Sequence, residues 1–534
     1  MRTKWFVQYN DSLHHPCSRA SLPVSVRDIE NGCRAYCHTC DGCMSLQSRE
    51  SLRLPVSIKQ GLTLLSGSTL AQLIPALASP VITRLYRPAD VGAFAVVVAV
   101  FGVLTPVACL RYDLAIMLPK KEDEAAHLTA LCLAVGAGAA VALSLALLVI
   151  WGLGSGSEAR AIVPLLAIML PLGILLLSMQ QVAQNWSLRV HNYRVQSRAA
   201  ITQAVVTVGG QIILGAAFGS SAYTLVIVTL TGYVTLVLVY LPIIRAHVAP
   251  RLRRYYSRQG TIQVARSYLR FPVYTGPYAF LGQASARSII VVLAALTSAT
   301  VVGQYAVAQR VIFLPIVTLM AAASQIFYSR AAHRLDDPRM PHMVRTVLVA
   351  GPLILGPFFL LVVLFAGPIF TTVFGAEWGQ AGRFAAILAV ASLVKTLTVW
   401  LDRIFDIRSR QGLSLMLEAA YAVVGCGATY VALRVSHSPD VAIAVYAFVT
   451  VAYCLIWMLC ALKVAGFPAG MGAQFVLTIA AVSAAVMLGD AFMTWSRAPM
   501  KIRVTCVLLL ALALSAGGLR LAAQRMRAMA QLVR

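Results

Sequence analysis

Val91-Gly-Ala-Phe-Ala-Val96 returns as Val302-Gly-Gln-Tyr-Ala-Val307, and both copies open a long apolar run. The copies stand nearly half of the 534-residue chain apart, as an ancient duplication would leave them. Duplicated halves in a chain of membrane-spanning segments point to a transporter. Its site then lies between the halves, and its motion is a rocking of one half on the other.

Composition agrees with a membrane chain: 59% of residues are hydrophobic and 12% charged, and mean hydropathy is +0.78. Apolar runs of about 20 residues, each able to cross about 30 Å of hydrocarbon, recur from residue 61 to the C-terminus. Backbone groups in lipid must pair within their own segment, so the runs are read as helices, and strand alternation is absent. Fourteen spans are expected, at 61–85, 91–110, 126–153, 163–186, 199–219, 222–244, 272–296, 300–329, 344–373, 381–401, 411–434, 440–462, 473–494 and 502–521. The predicted fold is all-α and membrane-integral, with two pseudo-symmetric six-helix lobes and two further C-terminal helices. The divisions are a leader (1–56), an N-lobe (57–250), a basic linker (251–270), a C-lobe (271–465) and the last two helices with a basic tail (466–534).

A net charge of +25 invites a nucleic-acid reading, but the charges follow the spans instead. With the N-terminus inside, most lysines and arginines fall on cytoplasmic segments. The opposite side holds only Arg84, Arg87, Arg160, Arg383, Arg434, Arg497, Lys501 and Arg503. This positive-inside asymmetry predicts an even number of spans with both termini cytoplasmic, and no nucleic-acid partner. No secretory signal precedes the first span. Cys33, Cys37, Cys40 and Cys43, with His38 among them, have spacing able to hold zinc or an iron–sulfur cluster. The blander alternative is a leader upstream of a true start at Met44. No cofactor is expected.

Three cations fall well inside spans: Arg287, Arg310 and Lys395. Each costs roughly 2.5–3.5 kcal/mol at mid-helix on insertion scales, so such residues face a bundle interior or a watery cavity. Glu418 is the one acid well inside a span. The interior is therefore net basic and suited to an anionic substrate, above all a phosphate, whose oxygens match the guanidinium fork. The alternative is helix gluing through Glu418 or backbone carbonyls. Ser68, Gln72, Gln180, Gln181, Asn185, Gln283 and Gln309 are candidate cavity amides and hydroxyls, and Tyr274, Tyr278 and Tyr305 candidate sugar-stacking rings. Asp90 opens the second helix, where it can cap free amides. Arg111 and Asp113 at that helix's far end are read as an ion pair or a gate between lobes.

Several phrases together resemble the polysaccharide-biosynthesis branch of the multidrug/oligosaccharidyl-lipid/polysaccharide (MOP) exporter superfamily, the Wzx-type oligosaccharide flippases. They include Leu85-Tyr-Arg-Pro-Ala-Asp-Val-Gly-Ala-Phe94, Leu110-Arg-Tyr-Asp-Leu-Ala-Ile-Met-Leu-Pro119, Phe271-Pro-Val-Tyr274 and Val302-Gly-Gln-Tyr-Ala-Val-Ala-Gln-Arg-Val311. Gln325-Ile-Phe-Tyr-Ser-Arg-Ala-Ala332, Phe374-Gly-Ala-Glu-Trp-Gly-Gln-Ala-Gly382 and Leu401-Asp-Arg-Ile-Phe-Asp406 complete the set. The resemblance covers about residues 57–460. It implies two six-helix lobes around a central cavity. It also implies a substrate of undecaprenyl-diphosphate-linked oligosaccharide, moved from the cytoplasmic to the periplasmic leaflet of a bacterial inner membrane. Membrane lipid, a polysaccharide polymerase and a chain-length regulator are the implied partners. A drug/cation antiporter of the same superfamily is the rival, but cation exchange wants a buried carboxylate, and this interior is basic. An enzyme such as a glycan polymerase would need a sizeable outer loop with acid/base residues, and the loops here are short.

Overall fold

Once an apolar stretch enters lipid, helix is the one local structure that pairs all of its own backbone groups. The computed structural model describes residues 70–152, 157–313, 327, 337, 339–468, 470–495 and 499–531, all inside the unit Gln60–Arg534. Twelve helices among the described residues are long and apolar enough to cross a membrane, and none of these residues forms a strand. The fold is all-α and membrane-integral. The cysteine cluster at Cys33, Cys37, Cys40 and Cys43 and the start at Met44 lie outside the described residues, as does Ser68.

The first half runs through α1 (Leu70–Leu85), α2 (Pro88–Leu104), α3 (Glu122–Gly152), α4 (Ser157–Arg189), α5 (Tyr193–Phe218) and α6 (Ala222–Val239). The second runs through α7 (Gly276–Leu296), α8 (299–313), α9 (Arg339–Phe374), α10 (Gly379–Thr398), α11 (Gln411–Ser436) and α12 (Pro439–Ala465). Then come α13 (Gly470–Trp495) and α14 (Met500–Gln531). Among the described residues α1 and α8 are shorter than a full span, so twelve of the fourteen expected spans are seen at full length.

The duplication is visible in the packing. In the first half α3 packs on α4, α5 on α6, α4 on α6 and α1 on α5; in the second α9 packs on α10, α11 on α12, α10 on α12 and α7 on α11. Adding six to each label of the first set gives the second. The two last helices break the pattern by packing on α9, around Leu360, Phe365, Val482, Val486 and Val507. Large apolar side chains such as Leu148, Val423, Phe448, Leu477 and Leu509 face outward. A water-soluble surface could not carry so many, whereas hydrocarbon solvates them.

Both copies of the repeated phrase meet where the halves touch. A Cβ on Gly92 would strike the carbonyl of Ala299 and come within 2.8 Å of the Gly303 nitrogen. One on Gly303 would strike the carbonyl of Pro88 and come within 3.0 Å of the Gly92 nitrogen. Ala299 precedes Gly303 by one helical turn, as Pro88 precedes Gly92, so the contact looks the same from either side. It is a backbone-to-backbone approach that only missing side chains permit.

A clasp closes this same end. Trp378, fully buried, donates from Nε1 to the carbonyl of Thr83 at 2.8 Å. Arg84 reaches the carbonyls of Thr372 and Val373 near the end of α9. Gln304, two residues into the repeated phrase, donates to the carbonyl of Glu377 and accepts from the amide of Ala381 at 2.8 Å. Gly92→Leu should push α2 and α8 apart. Spin labels at the exposed positions Ala89 and Thr300 should then report a distance longer by several ångström; an unchanged distribution would show that this contact does not set the spacing of the halves.

Candidate functional site

One turn below the glycine contact, α2, α7 and α8 diverge around a cavity of about 310 Å³. Its walls include Val91, Phe94 and Val98 from α2, Arg287 and Ile290 from α7, and Gln309, Arg310 and Phe313 from α8. Two of the three interior cations therefore share one void with one of the candidate amides.

The seat of Arg287 is made by a glycine. A Cβ on Gly102 of α2 would overlap the Arg287 guanidinium, so the side chain lies flat across a helix bare at that point. Tyr233 of α6 is within electrostatic reach of the same guanidinium and packs edge-on against Phe101 at 5.4 Å. The Arg287 Nε is buried without a hydrogen-bond partner among the described residues. Arg310 is enclosed by protein yet exposed to a water-sized probe, because it stands in the void and not in packed side chains. Lys395 on α10 lies behind the wall: its Nζ is 5.4 Å from the ring centroid of Phe313.

Among the described residues, no carboxylate lies within ion-pairing distance of Arg287, Arg310 or Lys395. Glu418 instead accepts from the Tyr453 hydroxyl at 2.6 Å, in a cluster where Tyr453 stacks on Tyr421 at 4.3 Å. Helix gluing through Glu418 is thus not the arrangement observed. An uncompensated guanidinium in a low-dielectric interior is costly unless water or an anion offsets it.

Other candidates lie elsewhere. Gln72 is exposed on α1, and Gln283 is half-buried and apart from the cavity walls. Tyr305 is in the C-lobe core, closed to any sugar, while Tyr274 and Tyr278 are exposed. Gln180 bonds Gln184 on its own helix at 2.8 Å. Asp90 sits in the first turn of α2 but serves α6: it accepts from the Ser220 hydroxyl and from the Ala222 amide. It ties two helix starts together instead of capping its own. A larger recess of about 410 Å³ opens between α3 and α4 beside Leu147, Leu148, Trp151, Pro164 and Pro171. Among the described residues its lining carries no charge and none of the three cations. Sequence reasoning missed Gly102, Phe313 and Tyr233; a glycine one helix away from an arginine leaves no local pattern to find.

Arg111 and Asp113 sit in the short segment after α2. Arg111 has left-handed backbone (φ 64) and an Nε without a partner. Asp113 is 3% exposed and accepts from the Asn185 side chain at 3.4 Å, while its Oδ1 has no partner. The two form no close ion pair. Burial raises the Asp113 carboxyl above the ordinary carboxylate range, opposed by the nearby Arg111 charge.

A family model described as "Polysaccharide biosynthesis protein" matches residues 81–382. No curated protein matches the chain in sequence. Among solved structures, the chain is similar to the lipid II flippase MurJ in an inward closed conformation. That match has a TM-score of 0.63 at 11% identity and covers 87% of this chain and 99% of that one. It is also similar to an inward-facing multidrug resistance MATE family transporter of the MOP superfamily. There the TM-score is 0.52 at 16% identity, over 79% of this chain and 96% of that one. At such identities the likeness is one of fold.

The buried Asp113 has a pH consequence. A carboxyl whose folded pKa is raised contributes stability below the unfolded value of about 4, and that contribution is lost as pH rises through the folded value. Asp113→Asn should therefore flatten the fall in melting temperature as pH rises from about 4 to 7. An identical slope in both proteins would show that Asp113 ionises without cost.

Proposed function

The chain belongs to the polysaccharide biosynthesis protein family, and from that premise we propose that it is a flippase for undecaprenyl-diphosphate-linked oligosaccharide. In this reading the protein sits in the bacterial inner membrane with both termini cytoplasmic. The arginine-rich end faces the cytoplasm, and the end clasped by Gly92, Gly303 and Trp378 faces the periplasm. The delivered glycan feeds a surface polysaccharide such as O-antigen or exopolysaccharide, through a polymerase and a chain-length regulator.

One observation carries the reading: Arg287 and Arg310 share a cavity at the joint between duplicated halves, with no carboxylate among the described residues to satisfy them. A glycan head group does not cross hydrocarbon unaided, since each unpaired hydroxyl costs several kcal/mol. The diphosphate meets two guanidinium groups that donate bidentate hydrogen bonds, the sugars meet water and amides such as Gln309, and the prenyl tail stays in lipid. Lys395 adds positive potential from behind Phe313. A void of 310 Å³ has room for a diphosphate but not for a whole oligosaccharide. The halves must part further at the cytoplasmic end to load and at the periplasmic end to release. Release requires the Gly92–Gly303 contact and the Trp378 clasp to open.

The antiporter alternative predicts a membrane-buried carboxylate in the cavity, and Glu418 is instead held by Tyr453 and is not among the cavity walls. Drug-resistance assays separate the two readings: no change in susceptibility is expected on expression. In a reconstituted assay with lipid-linked oligosaccharide, Arg310→Ala should lower flipping by about ten- to a hundredfold, the loss of one charge-assisted pair, with membrane insertion intact. Arg310→Lys, which keeps charge but loses the fork, should fall between. Full activity in Arg310→Ala would refute the site. Gly102→Val, which displaces the Arg287 guanidinium, should reduce flipping without lowering thermal stability by more than a few degrees.

A further inference from the structure

Residues 159–335 contain no Asp or Glu, and inside that stretch lies a connector of seven arginines between α6 and α7. It follows α6 through a π-helical turn (Ile244–Val248), a helix (Ala249–Tyr255), a break at Tyr256 and a second helix (Arg258–Ser267). Ser257 caps the second helix by accepting from the amide of Gly260 at 3.1 Å.

One face of this connector is fastened to the N-lobe. Val248 and Val264 are buried with Cys109, Tyr112, Leu128 and Trp186. Arg251 pairs with Glu122 at 2.7 Å and stacks on Trp186, His127 meets Ser257 at 3.2 Å, and Tyr112 donates to the carbonyl of Ala265 at 3.1 Å. On that face Glu122 is held by Arg251.

The opposite face makes no ion pair among the described residues. Arg245, Ala249 and Arg253 recur at four-residue spacing, with Pro250 and Arg254 on the adjacent row, and together they line an open notch of about 500 Å³. Among the described residues Arg245, Arg253 and Arg254 make no ion pair; Arg254 rests on the ring of Tyr255. Further along the connector, Tyr256, Ile262 and Leu269 are 61%, 46% and 49% exposed, and Arg258 and Arg266 are exposed as well. Arginines alternating with exposed apolar side chains suit neither water nor hydrocarbon. They suit the headgroup layer, where the apolar groups dip toward the acyl chains and guanidinium groups meet phosphate.

We propose that the Arg245–Arg253–Arg254 notch is a binding site for the phosphate of an anionic phospholipid, holding the connector on the membrane surface. The site is separate from the central cavity and does not depend on what that cavity carries. Its occupant is a resident lipid, because the connector of a membrane-spanning chain that carries this notch also exposes Ile262 and Leu269, which suit the acyl layer. A positive-inside charge bias alone would not gather three arginines without an ion pair around one recess.

The test uses full-length protein in detergent with added phosphatidylglycerol or phosphatidylcholine, read by native mass spectrometry and by thermal shift. Phosphatidylglycerol should be retained and should raise the melting temperature, with phosphatidylcholine doing neither. Arg245→Ala/Arg253→Ala/Arg254→Ala should weaken phosphatidylglycerol retention at least tenfold, while Arg198→Ala, an exposed arginine outside the connector, should not. The triple Lys variant should retain most binding, which separates loss of the site from misfolding. Equal retention by wild type and the triple Ala variant would overturn the proposal, as would an equal loss in Arg198→Ala. Competition by millimolar inorganic phosphate as effective as by phosphatidylglycerol would reduce the notch to a general anion site and overturn the lipid assignment. Displacement by a short-chain prenyl diphosphate at far lower concentration than phosphatidylglycerol would do the same, assigning the notch to the transported carrier.

Discussion

Where Gly92 of α2 meets Gly303 of α8, two backbones approach more closely than any side chain would allow. Each glycine presses on the carbonyl one turn before the other, so the halves touch through a locally two-fold contact. Helix association in lipid lacks the hydrophobic drive available in water, and close backbone packing is what replaces it. Fixing the helices at this end sets the geometry beneath the joint. The helices diverge around a void, and Trp378, Gln304 and Arg84 add hydrogen bonds that only this close approach makes reachable.

The second constraint is electrostatic. Domains are stable by only about 5–15 kcal/mol, and a charge at mid-membrane costs roughly 2.5–3.5 kcal/mol. Three such cations without a carboxylate partner would consume much of that margin in a dry bundle. The fold meets this by placing Arg310 in a void, laying Arg287 across a bare glycine beside it and setting Lys395 against the Phe313 ring. Water or an anion in that cavity would offset the cost. Glu418, the acid that could have neutralised them, is turned to Tyr453.

Much of this architecture is legible in the sequence alone. Helix spans follow from length and hydropathy, so their order and number can be read directly. The repeated phrase locates the joint, and the cost of charge in lipid singles out Arg287 and Arg310, which share the cavity. Relations between helices are a different matter. Asp90 reads as the cap of its own helix, yet its carboxylate reaches Ser220 and Ala222 at the start of α6. Tyr305 reads as able to stack on sugar but points into the C-lobe core. Gln72 is exposed on α1. Gly102 matters only because Arg287 of another helix crosses it. Periodicity fixes which residues share a face of one helix, and nothing local fixes which neighbour that face meets.

The central claim is that the two guanidinium groups at the joint hold the diphosphate of a lipid carrier. It is tested most directly by determining the structure with a prenyl-diphosphate-linked glycan bound. The account predicts phosphate oxygens at hydrogen-bond distance, about 2.7–2.9 Å, from both Arg287 and Arg310, with the tail leaving between helices into lipid. A bound carrier whose diphosphate lies elsewhere, with both guanidinium groups unengaged, would contradict it.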